Sequence, residues 1–115
     1  MSKFVLLLRD REGAYPNLSP EEMQAIVQRY VAWRAKVQAG GRAIMGHKLR
    51  DEEGRVLNGK AGAVTLTDGP YAEAREVIGG LFVIDAASYD EVAELCKDCP
   101  HLEFGSIEIR EVEPT

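Results

Sequence analysis

The chain has 115 residues, 45% apolar and 29% charged, the balance of a folded globular domain and not of a disordered tail. Fourteen Lys and Arg against nineteen Asp and Glu leave a net charge of −5, the wrong sign for a protein that binds nucleic acid by displacing phosphate counterions. The longest apolar runs, Phe4–Leu8 and Leu81–Ile84, are far too short to span a bilayer. The length predicts one domain over residues 1–115. Met1-Ser2-Lys3 leads straight into a strand-like run, so no secretory signal is read. Two cysteines in a chain able to build a real core do not make a disulfide scaffold, and a reduced cytoplasmic setting is expected.

Phe4–Leu8 has no period-two alternation and predicts a strand buried on both faces. Ser19, Pro20 and Glu22 form a helix start: an N-cap, a proline at the first helical position and the partner of a capping box. Met23, Ile26, Val27, Tyr30, Trp33 and Val37 then recur on one helical face, and Gly40-Gly41 ends the helix Pro20–Ala39. Ala43–Leu49 reads as a second strand, Arg50–Lys60 as a polar hairpin or loop, and Ala63–Thr67 as a third strand. Asp68-Gly69-Pro70 breaks that strand with turn chemistry. Leu81–Ile84, behind Gly79-Gly80, is a further strand apolar on both faces. Ser88 opens a second helix through a capping box with Glu91, and Pro100 stops it. Ser106–Val112 alternates as a half-exposed last strand.

The order β-α-β-β-β-α-β, less one hairpin strand, is the βαββαβ of a ferredoxin-like α+β fold with an antiparallel sheet. Both crossover helices fall on one face of that sheet. The other face would be an apolar patch of a size soluble monomers rarely expose. A second copy packed on it gives a homodimer, a dimeric α/β barrel.

The stretch Thr67–Gly80, with Asp68-Gly69-Pro70-Tyr71-Ala72-Glu73 followed by Arg75-Glu76 and Gly79-Gly80, resembles the signature of YCII-related proteins of the DGPF type. Tyr71 stands where that signature usually has Phe. Leu18–Met23 and Gly105–Arg110 also fit it. The resemblance implies a small bacterial ferredoxin-like subunit paired into a dimeric barrel, with no assigned reaction. It also implies an association with extracytoplasmic-function sigma factors. The broader family offers an acid–base pair, a His near the first helix and an Asp on the next strand. This chain has no His in that helix, where Gln24 and Gln28 stand instead, so the pair does not transfer.

The nearest substitutes for a proton-transfer pair are Asp68 and His47. The ligand-binding candidates are Asp68, Gly69, Pro70, Tyr71, Glu73 and Arg75, placed at a barrel end where a small organic molecule would sit. The same block also reads as a pure turn, with an Asx bond, a φ-permissive glycine and a rigid proline. His101, after Pro100, reads as solvated. Cys96 and Cys99 sit at a helix C-terminus beside Asp98, which opposes thiolate formation. Core packing is expected for Cys96 and no role for Cys99. No metal or cofactor is implied. Two functions follow as expectations: an acid–base enzyme or binder of a small molecule, and a non-catalytic partner of a sigma-factor-related protein.

Overall fold

A computed structural model describes residues 1–15, 17–51, 54–60, 62–68 and 76–114. The elements run β1 (Ser2–Arg11), α1 (Pro20–Ala39), β2 (Ile44–Lys48), β3 (Arg55–Lys60), β4 (Ala63–Asp68), β5 (Glu76–Ala86), α2 (Tyr89–Cys96), a 3₁₀ turn (Pro100–Glu103) and β6 (Gly105–Glu111). The main sheet has the order β2-β5-β1-β6, all neighbours antiparallel. With two helices it forms an α+β fold compatible with the ferredoxin-like class.

Strands β3 and β4 form a separate two-stranded sheet. The expectation of one extra hairpin strand is corrected to two, and neither joins the main sheet. Charges at Arg50–Glu53 hid β3, which begins only at Arg55. Leu57, Val64 and Leu66 of this hairpin are all more than 60% exposed. The Cα radius of gyration is 16.2 Å, above the roughly 13 Å of a compact chain this long, in keeping with a hairpin that stands off the body.

Helix α1 starts as its sequence dictates. Ser19 Oγ accepts from the Glu22 N–H at 3.1 Å, and Glu22 Oε1 accepts from the Ser19 N–H at 3.1 Å. Gly41, at φ 87°, takes the left-handed turn that ends the helix. At α2 only half of the expected box forms. Ser88 Oγ accepts from the Glu91 N–H at 3.2 Å, but the Glu91 carboxylate turns to the Ala87 N–H and to Arg42.

Alternation along β1 sends Phe4, Leu6 and Leu8 to the helices, where Phe82, Ile84, Trp33, Val37, Val92, Cys96 and Cys99 complete the buried core. Trp33 sets its ring edge-on to Phe82, centroids 5.3 Å apart, and donates Nε1–H to the Leu95 carbonyl at 3.0 Å. Loss of that side chain would cost about 3–5 kcal/mol. Cys99, expected to have no role, is buried in this core as fully as Cys96. The opposite sheet face carries Val5 and Leu7 in register with Val83 and Leu81, all half-buried. The ion pairs Lys3–Asp85 (3.0 Å) and Arg9–Glu108 (2.8 Å) lie on the same face.

Candidate functional site

The two halves of α1 are packed differently. Its C-terminal half buries Trp33 and Val37, whereas Met23, Ile26, Val27 and Val31 are half-buried or exposed. They face a cavity of about 250 Å³ between helix and sheet. The sheet contributes Leu8, Phe82 and three residues without side chains, Gly46, Gly79 and Gly80. At Gly46 the space a β-carbon would take is filled by the Phe82 ring.

The polar end of the cavity is built from Asp10, Tyr15, Tyr30 and His101. Asp10 comes from the end of β1. The register slips by one residue between Leu8 and Arg9, so Leu8 pairs with Gly80 and Arg9 with Ile78, leaving Gly79 as a bulge. A β-carbon at Gly79 would overlap the Asp10 carboxylate. Tyr15 follows β1; its ring stacks on Phe104 with centroids 4.9 Å apart. Its hydroxyl lies 3.4 Å from that of Tyr30. The 3₁₀ turn opened by Pro100 carries the imidazole of His101 inward.

His101 is therefore not solvated, as the turn-like sequence implied, but 1% exposed. Its Nε2 lies 2.9 Å from the Arg9 carbonyl and its Nδ1 2.9 Å from the Tyr30 hydroxyl. A carbonyl only accepts, so Nε2 carries a proton and donates to it. In the neutral ring Nδ1 is then the acceptor and Tyr30 the donor. Burial pushes the Tyr30 phenol well above its ordinary range, which keeps that donor proton in place. Asp10 Oδ1 stands 3.7 Å from His101 Nε2. Burial raises the Asp10 carboxyl from its usual value of 3.8, against the opposing pull of His101, Lys48 and a Tyr15 hydrogen bond. Burial likewise raises Tyr15.

Such a site offers one carboxyl that holds its proton more tightly than an ordinary Asp, two phenols and an imidazole, all beside an apolar slot. At the rim Lys48 pairs with Asp51 at 2.8 Å. Arg34 borders the cavity and donates to the Ile44 carbonyl at 3.3 Å. Among the described residues, no cluster of three or more His, Cys, Asp or Glu could hold a metal ion.

The residues expected from sequence fall elsewhere or outside view. His47 lies in β2 opposite Leu81, so its strand borders the cavity while alternation turns its side chain to the open sheet face. Asp68 ends β4 on the hairpin, is not among the cavity residues, and faces Arg55 at 3.4 Å with both side chains exposed. Gly69, Pro70, Tyr71, Glu73 and Arg75 lie outside the described residues. Sequence reasoning missed Asp10 and His101 as partners. The signals that could find them are Asp10 closing an apolar strand, the Gly79-Gly80 pair, and His101 held between Pro100 and Leu102.

Comparison with known proteins places this geometry in a family. The model of the YCII-related domain matches residues 2–115. An uncharacterized protein of Rhizobium meliloti (strain 1021) is 28% identical over 110 residues, covering 93% of this chain and 89% of that protein. No helix among the described residues is long and apolar enough to cross a membrane.

Proposed function

The chain belongs to the YCII-related domain family, and on that premise we propose that its cavity is an acid–base site for a small organic molecule. The observation that carries this reading is the convergence of Asp10, Tyr15, Tyr30 and His101 on one end of a slot with apolar walls. Asp10 is the proton-transfer residue. Its carboxylate removes a proton from a carbon next to a carbonyl, and the electron pair moves onto the carbonyl oxygen. The same carboxyl then returns the proton, to that carbon or to another along the conjugated system. His101 and Tyr30 are positioning residues: the bonds from His101 to the Arg9 carbonyl and from Tyr30 to His101 hold that end of the slot in place. No cofactor enters this step.

The test is deuterium uptake. Small cyclic ketones and lactones are incubated with the protein in D₂O, and exchange at the carbon beside the carbonyl is followed by NMR. At least one compound should exchange faster with protein, and Asp10→Asn should slow that exchange by about 10²–10⁴-fold. Binding without any accelerated exchange would sink the catalytic reading.

A second reading is favoured by the hairpin. Two strands alone are marginal in water, yet Leu57, Val64 and Leu66 are left open. In this reading the chain is a non-catalytic interaction module of the kind tied to extracytoplasmic-function sigma-factor regulation, and the hairpin is its contact. Both readings are compatible with a homodimer joined through the open sheet face.

A further inference from the structure

We propose that the molecule held in the cavity is an organic anion with an apolar body, its negative group at Arg34 and its body lying along the slot toward Asp10. This rests on the cavity being a ligand site, as argued above. The strand register sets the two ends. The Ile44 carbonyl that Arg34 reaches lies in the row Ile44–Ile84–Phe4. Asp10 lies beyond the row Lys48–Gly80–Leu8. Four residues of strand separate those two rows, roughly 13 Å. An anion held at Arg34 therefore lies well away from Asp10.

The charge at the Arg34 end is not spoken for. Arg9, Arg29, Arg42 and Arg55 each face a carboxylate. Half-buried Arg34 has none within ion-pair distance among the described residues, and its contact with one carbonyl uses a single N–H. Its guanidinium keeps donors in the fork geometry that matches a carboxylate. Lys48, at the other end, pairs with Asp51. The slot between these ends is apolar. Ile26, Val27, Val31 and Phe82 line it together with Gly80, which fits an apolar body.

The probes are 2-naphthoate and its uncharged counterpart 2-naphthalenemethanol, titrated into the full chain. Trp33 fluorescence and the Ile26 methyl resonance report binding in the slot. Wild type should hold the naphthoate about tenfold or more tighter than the alcohol. Arg34→Gln should abolish that preference while still binding the alcohol, which also shows that the variant is folded. Arg34→Lys should keep part of it. Equal affinity of wild type for the two probes, or a preference that survives Arg34→Gln, would overturn the inference. Failure of both probes to bind would overturn it together with the cavity reading. The two titrations read binding and not exchange, so a failure of the proton-transfer reading shows in the exchange assay alone.

Discussion

The Asp10 carboxylate occupies the space that a side chain at Gly79 would need. The acid and the glycine face each other across β1 and β5 at the point where the register slips. The bulge is therefore part of the site: it leaves room in the sheet for the Asp10 carboxyl.

Gly79→Ala should displace that carboxyl. The substitution forces Asp10 or the strand to shift, and overpacking of this kind costs about 1–3 kcal/mol. Urea denaturation measures the loss. The Asp10 resonances in an NMR spectrum should move further than those of Phe4, at the far end of the same strand. An unshifted Asp10 would mean that the strand absorbs the change.

Asp10→Asn should be more stable than wild type near neutral pH. Burial raises the folded-state pKa of Asp10 above 3.8. A raised carboxyl favours the fold while protonated, and that contribution is lost as pH rises through the folded value. Asparagine never takes the charge, so its advantage should grow as pH rises through the folded value and close as pH falls to the unfolded one. Glu22, Asp98 and Glu108 are shifted the other way by their hydrogen-bond partners, chiefly Ser19, Lys36 and Arg9. Wild type and variant share that opposing trend, so it cancels in the difference between their urea midpoints.

Tyr30→Phe should destabilise the chain through His101. The ring is buried, and Nδ1 would lose its only described donor among the bonds at this end of the cavity. An orphaned buried acceptor costs about 1–3 kcal/mol. Thermal unfolding gives the size. A loss as small as that of an exposed Tyr would mean that water replaces the hydroxyl.

The open sheet face should join two copies. Val5, Leu7, Leu81 and Val83 lie together in register on the sheet face opposite the helices of the described residues. A contact of roughly 2,000 Å² or more in total is expected for an obligate pair. Light scattering should give twice the chain mass, and Leu7→Glu should halve it. A wild-type monomer at micromolar concentration would rule this out.

The cysteines should be inert as thiols while the chain is folded. Burial pushes Cys96 up to about 12 and Cys99 up to about 11. A thiol-specific reagent at neutral pH should react only on unfolding. Cys96→Ser with Cys99→Ser should keep the fold but lose about 1–3 kcal/mol for each hydroxyl left without a partner in the core. Rapid labelling of the native protein would contradict this.

Local signals carried most of the fold. Ser19, Pro20 and Glu22 specify their helix start by chemistry within a few residues, and the cap forms as read. Phe4–Leu8 and Leu81–Ile84 declare strands by composition alone, and they pair with each other. β1 runs on past Leu8 because a pairing with β5 and β6, not its own polar end, sustains it through Arg11. The site was less legible because it is made by pairing. Asp10 and His101 are brought together by the β1–β6 ladder and a single 3₁₀ turn, neither visible as a motif. The sequence drew attention instead to Asp68, whose turn chemistry is conspicuous but whose described partner is an exposed arginine on the same hairpin.

The separation of β3 and β4 from the main sheet has a consequence for amide hydrogen exchange. β1 is bonded on both sides, to β5 and β6, so its central amides at Leu6 and Leu7 can exchange only when the whole sheet opens. Among the described residues, the ladder of β3 is with β4 alone. The amides of this ladder can exchange by parting of the hairpin while the core stays closed. Two classes of protection should therefore appear in one small chain, and only the slower should follow global stability as denaturant is added.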